Sequence, residues 1–257
     1  IDKAEYKGHF YSDKAPGLSL AAAPVVFAAS KLFPSIAWHP RNPFARLPMV
    51  ILLLALPSAI SMLLVARLGE AAAGGDASLP ALVYGLGTLA APYSSLFYGH
   101  QFCAALLLFA FYLWYSGETD EKTPAPGAGF LCGFLAGYAM ITEYTAAIPA
   151  LAIVALFFFS ASGARGRTHR AALAAGFAVP ILALAAYNTA AFDHPLRIGY
   201  FYEAHEWFNE EMGRGLGGVT TPRPGAALEL LLAPHRGLVW GQPFLLLAVP
   251  GAVYLWK

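Results

Sequence analysis

Apolar residues fall in long blocks along this chain, separated by short polar pieces, and block length is the first informative quantity. Eight blocks stand out, at about 17–35, 47–66, 81–97, 101–116, 128–142, 145–160, 171–190 and 238–256. A bilayer crossing by a helix needs roughly 17–25 mostly apolar residues. Each block is therefore first read as a membrane helix, the shorter ones extending into flanking residues. The remainder predicts loops at 1–16, 36–46, 67–80, 117–127, 161–170 and 191–237.

Composition agrees with the pattern. The chain has 257 residues, 58% hydrophobic and 12% charged, with a mean hydropathy of +0.56. Soluble domains carry about 25% charged residues, so lipid must cover part of this surface. A net charge of +1 offers no footprint for nucleic acid. Cys103 and Cys132 both fall in apolar blocks and read as packing thiols, with no disulfide framework or zinc site. The chain opens on Ile1 inside a polar segment and ends on Tyr254-Leu255-Trp256-Lys257 as a helix would finish. It is expected to be a piece of a longer protein, with a first membrane helix before Ile1 and more helices after Lys257.

Lys and Arg in short loops set orientation. Arg165, Arg167 and Arg170 form an acid-free basic loop, the strongest cytoplasmic signal, while Lys31, Arg41 and Arg46 form a second cluster. If all eight blocks cross, the two clusters lie on opposite faces. The weakest crossing is 17–35, which carries Pro24, Pro34 and Lys31, and proline inside a helix removes a hydrogen bond. It is read as an interfacial helix of the first outer loop. The fold expectation is thus an all-α polytopic membrane bundle over 1–257, with about seven transmembrane helices. Residues 1–46 form the first outer loop and 191–237 a long outer loop with juxtamembrane helices of its own. Lys31, Arg41 and Arg46 then lie outside, where lipid phosphate can meet them. Gly129, Gly133 and Gly137 make a smooth helix face for close packing.

Under this topology reactive side chains gather on the outer face. Asp13 and Lys14 lie in the first loop, held extended by the following Ala15-Pro16-Gly17. His100 follows Pro92-Tyr93-Ser94-Ser95 and Tyr98-Gly99. Glu143 is the only charged residue between Lys122 and Arg165. Ionisable groups near a membrane are costly and point to function, although a water-facing turn carboxylate and a structural histidine are the plain alternatives. In the long loop, His235 and Arg236 precede the last helix and Arg223 sits in Pro222-Arg223-Pro224. Each arginine can grip a phosphate with two donors or simply snorkel to head groups. Glu203, His205, Glu206, Glu210 and Glu211 have spacing that partly suits a divalent cation, with a solvated helix face as the favoured reading. No other metal site is expected. Neither a nucleotide-phosphate loop nor a serine-nucleophile motif is present.

Tyr11-Ser12-Asp13-Lys14-Ala15-Pro16-Gly17-Leu18, then an apolar stretch and Ala45-Arg46-Leu47-Pro48, resembles the first outer loop of polyprenyl-phosphate-dependent C-type membrane glycosyltransferases. The protein O-mannosyltransferases and lipid A aminoarabinose transferases belong to that superfamily. Pro92 to His100, Leu135 to Tyr144, Tyr187-Asn188 through Pro195-Leu196 with Tyr200, and Ala233 to Leu238 look similar to a bacterial branch of it. The resemblance implies sugar transfer from a polyprenyl phosphate to a glycan, lipid or protein acceptor, on the extracytoplasmic face of the inner membrane of a cell envelope. It implies Lys14 as the contact for lipid phosphate, with Arg236 and His235 assisting, while Arg223 is a candidate second clamp by its own chemistry in the stiff Pro222-Arg223-Pro224 turn. Asp13, His100 and Glu143 are the local catalytic candidates. The principal general-base Asp is implied upstream of Ile1, so this stretch alone is expected to be inactive. Gly17 replaces the second proline of the usual Pro-Pro element, which argues against the aminoarabinose branch. A transporter or flippase of a lipid-linked intermediate, and a non-catalytic membrane scaffold, are the competing readings. The first needs midplane charges and inverted repeats, and neither is visible.

Overall fold

The computed structural model describes residues 3–39, 42–119, 126–160, 163–212, 214, 220–221, 223–235 and 237–255. It is mostly helical, at 77%. Among the described residues the one sheet is a hairpin of β1 (Ala4–Tyr6) and β2 (His9–Tyr11), paired with Tyr6 opposite His9. Lys7 and Gly8 both have positive φ, at 51° and 78°, which is the two-residue turn that matches strand twist. The hairpin lies in a segment read from sequence as loop. Its strands are three residues each, too short for periodicity to register.

The helices follow in order. α1 (Gly17–Leu32) lies within the apolar block 17–35 and exposes Phe27, Leu32 and, just past its end, Phe33. α2 (Pro43–Val50) and α3 (Leu56–Ala73) join through a π-helical stretch, Ile51–Ala55, into one rod. Then come α4 (Ser78–Gly87), α5 (Ala90–Tyr93), α6 (Gly99–Thr119), α7 (Pro126–Thr142), α8 (Ala147–Ser160) and α9 (Gly163–Phe192). The C-terminal part holds α10 (Glu206–Met212), α11 (Pro224–Leu232), α12 (Leu238–Gly241) and α13 (Ala248–Leu255).

Two expected crossings are interrupted. The block 81–97 breaks at Thr88, whose backbone is extended. Its Oγ1 accepts from Ala90 N at 2.9 Å, so the side chain starts a new short helix. The block 238–256 breaks at Gln242, whose ψ of 67° is non-helical, because a residue before proline is pushed out of the helical region. The basic stretch 161–170 differs in the other direction, with α9 beginning at Gly163. Arginine and alanine are good helix formers, and Arg170 is anchored over the Phe158 ring at 5.2 Å.

Among the described residues two helices, Pro43–Ala73 and Gly166–Phe192, are long and apolar enough to cross a membrane. Only 17% and 22% of their most apolar windows are buried, whereas a soluble core helix would be covered by its own protein.

The core forms where α6, α7, α8 and α9 meet. Ala110, Cys132, Ala136, Ala150, Ile153, Phe157 and Leu173 make one cluster. A second joins Leu18, Leu54, Phe102, Cys103, Leu106, Ala139 and Ala146. Both cysteines are free and buried, with thiols against the facing carbonyls of Ala139 and Ala110. The glycine stripe of α7 faces α9. A Cβ on Gly137 would sit 2.8 Å from Phe177 O, and one on Gly133 would collide with the Leu173 carbonyl. Backbone-to-backbone approach of this kind is what small residues permit.

Candidate functional site

Chain direction brings the reactive segments to one end of the bundle. α6 begins there, α7 ends, α8 begins and α9 ends, and the N-terminal hairpin docks on the same end. Docking is both polar and aromatic. Ala4 bridges to Glu203, and Ala204 N donates to Lys3 O at 2.9 Å. Tyr6, Tyr11, Tyr187 and Tyr202 close around the buried Phe192, with the Tyr6 and Tyr202 ring centroids 4.6 Å apart. Asp193 ends α9 in the left-handed region, φ 57°. It accepts from Tyr6 OH at 3.0 Å and pairs with Lys7. The hydrogen bond from Lys7 chiefly, and that from Tyr6 next, hold the Asp193 carboxyl below its ordinary range. The same bond to Asp193 holds the Lys7 ammonium above its own.

From the hairpin the chain runs directly into Asp13 and Lys14. Two glycines fix their position. Gly17 lies against the end of α7, where a Cβ would meet Ile141 O at 2.7 Å, and Tyr138 OH donates to its carbonyl at 3.0 Å. Gly199 lies against Asp13, where a Cβ would be 2.9 Å from Asp13 O. Asp13 is 1% exposed and its Oδ2 accepts from Lys14 Nζ at 2.8 Å. Its Oδ1 is buried with no hydrogen-bond partner among the described residues. The Lys14 side chain is 49% exposed and its ammonium stands 5.6 Å from the centre of the Tyr200 ring. The buried carboxylate anchors a lysine whose side chain is half-exposed.

Tyr200 carries the site onward, with its ring edge-to-face with Tyr144 at 5.8 Å. Tyr144 follows Glu143 in the short link from α7 to α8. Glu143 Oε1 lies 3.0 Å from His100 Nδ1. The imidazole is flanked by Tyr93 edge-on at 5.1 Å and by Tyr98 nearly parallel at 6.2 Å. Four of the seven sequence candidates, Asp13, Lys14, His100 and Glu143, thus belong to one connected series of contacts.

The others lie elsewhere. Arg223 precedes α11 and His235 follows it, both exposed. Among the described residues no hydrogen bond or ion pair ties either to the four. Arg236 lies outside the described residues. In the acidic cluster, Glu203 is buried beside the hairpin, while His205, Glu206 and Glu210 are exposed around α10. Among the described residues no three His, Cys, Asp or Glu side chains gather to hold a metal ion.

Sequence reasoning missed the Tyr6–Lys7–Asp193 latch and the linking role of Tyr200 and Tyr144. Gly17, Gly99 and Gly199 mark the seams, and a glycine beside each candidate segment was the available signal. Compared with protein-family models, with curated proteins and with solved structures, the chain matches none.

Proposed function

We propose that this chain is a membrane glycosyltransferase that moves a sugar from a polyprenyl phosphate to an acceptor hydroxyl, at the extracytoplasmic face of a bacterial inner membrane. The carrying observation is the half-exposed Lys14 side chain, anchored by a buried carboxylate and set against Tyr200, whose ring meets Tyr144, the sequence neighbour of the Glu143 that pairs with His100. A lysine half-exposed at a bundle end suits a lipid phosphate. The carboxylate–imidazole pair near Tyr144 suits an acceptor hydroxyl.

Attack on the anomeric carbon expels the lipid phosphate, and charge grows on its oxygens. A fixed ammonium stabilises that charge more than it stabilises the ground state. Arg223, His235 and Arg236 are proposed as further phosphate contacts. Membrane lipid is the other partner of the surface. Exposed Phe27, Phe33, Leu63, Ile148, Phe159 and Leu182 support a lipid-facing exterior.

The seven-crossing topology belongs to this proposal. α6, at 21 residues, and α9, at 30, rise about 31 and 45 Å, against a hydrocarbon core of about 30 Å. The interrupted α4–α5 and α12–α13 blocks would cross as broken helices, with freed backbone groups turned toward protein.

The test offers the full-length protein in lipid nanodiscs either a polyprenyl-phosphate sugar or the matching nucleotide sugar, and follows release of polyprenyl phosphate and of labelled product. Consumption of the lipid-linked donor alone supports the reading. Turnover of only the nucleotide sugar, or of neither, overturns it.

A further inference from the structure

At the end of the bundle opposite the site, α8 finishes at Ser160 and α9 opens at Gly163. Arg165, Arg167 and Arg170 fall in the first eight residues of α9, and the sequence carries no acid between Glu143 and Asp193. Neither helix therefore has a carboxylate of its own to balance the three cations. Helix stability does not explain them either, because the dipole at a helix start favours anions. Among the described residues no ion pair involves Arg167 or Arg170.

Two features say what kind of anion these arginines meet. The first is that Arg170 is held in place. Its Nε donates to Gly166 O at 3.2 Å and its guanidinium stands 5.2 Å from the centre of the Phe158 ring. Among the described residues its two terminal nitrogens donate to nothing, so the pair of donors that grips a phosphate is kept. Arg167, three residues earlier and a neighbour on the helix surface, is exposed. The second feature is that the surroundings are apolar and uncovered. Phe158 is 40% exposed and Phe159 81%. Trp114 Nε1 donates to Ser160 Oγ at 2.8 Å, which sets an indole at the level of this helix end, as in the aromatic belts of membrane surfaces. A free phosphate ion gains nothing from exposed rings, whereas a phospholipid brings a phosphate and acyl chains together.

We propose that the junction of α8 and α9 binds an anionic phospholipid. Arg167 and Arg170 take its head-group phosphate, and Phe158 and Phe159 lie along its acyl chains. With no carboxylate on either helix to receive the ammonium of a zwitterionic head group, a lipid of net negative charge is the one that fits. The junction and Lys14 lie at opposite ends of the bundle, so the lipid held here is a structural partner of the fold and not a sugar donor.

The test titrates the full-length protein, in a neutral detergent, with phosphatidylglycerol, with phosphatidylcholine or with inorganic phosphate, and follows the melting point. A ligand that binds only the folded state raises it. Phosphatidylglycerol should raise the melting point, and the other two should not. Each arginine at an anionic lipid surface contributes about fivefold in affinity. Arg167→Gln should therefore raise the phosphatidylglycerol concentration for half the shift by about fivefold, and Arg167→Gln with Arg170→Gln by about 25-fold. Arg167 is exposed, so the single variant tests the site even where loss of the Arg170–Phe158 contact unfolds the double. An equal shift with phosphatidylcholine or inorganic phosphate, or an unchanged half-saturating concentration in Arg167→Gln, overturns the assignment. Sugar transfer plays no part in this readout, so the result stands whether or not the proposed reaction does.

Discussion

Replacing Lys14 by alanine separates two jobs of one ammonium. The structural job is to partner Asp13, which is 1% exposed and bonded to Lys14 at 2.8 Å. Leaving a buried polar group without its partner costs about 1–3 kcal/mol. The half-exposed lysine keeps the cost at the lower end, because water already screens the pair. The catalytic job is to meet charge on the departing phosphate, on the scale of one lost oxyanion donor, about 2.7–4 kcal/mol. At about 1.4 kcal/mol per tenfold, that is roughly 10²–10³ in kcat. The assay is the initial rate of release of polyprenyl phosphate in nanodiscs, at a temperature where thermal scans show each variant folded. The double variant Asp13→Asn with Lys14→Ala removes the stranded charge, so its melting point should return toward that of the unaltered chain while its rate stays low. Lys14→Arg should fall between, since a planar guanidinium keeps the charge but alters its placement against Tyr200. A folded Lys14→Ala that turns over at the unaltered rate refutes the phosphate role. Recovery of rate in the double variant would show that only the stranded carboxylate mattered.

Three further outcomes follow from the geometry. Gly133→Ala should destabilise by about 1–3 kcal/mol, because its Cβ collides with the Leu173 carbonyl across the α7–α9 contact, whereas Gly241→Ala meets nothing and should leave the melting point unchanged; equal melting points for the two would contradict the packing. The hairpin latch should weaken at both pH extremes. Asp193 is held below its ordinary 3.8, so its contribution is complete above that value and lost as pH falls through the lower folded-state value. Lys7 is held above its ordinary 10.5, so its contribution is complete below that value and lost as pH rises through the higher one. Exchange protection of the Ala204 amide reports this, and Asp193→Asn should abolish the acid step; a protection factor flat through the acid range speaks against the latch. For topology, Ser12→Cys should react with an impermeant thiol reagent in sealed cells and Arg167→Cys only after permeabilisation. Labelling of both from outside would remove the outer-face site.

Hydropathy is a sum over neighbours in sequence, so the primary structure alone determined the helical class, the approximate positions of the apolar helices and the polar links that carry the reactive groups. It also marked the α7 glycine stripe, because spacing by four on one helix is a local property. Local sums could not show the breaks at Thr88 and Gln242. There a side-chain cap and a proline outweigh an otherwise apolar run. Nor could they show α9 continuing into the basic stretch. The pairing of residues far apart was decided only in three dimensions. Lys14 reaches Tyr200, and His100 reaches Glu143, because Gly17, Gly99 and Gly199 let backbone and side chains approach within contact. Such contacts depend on which helix ends share one end of the bundle and on the space a missing Cβ leaves. A one-dimensional pattern records the glycine but not the surface that will press against it.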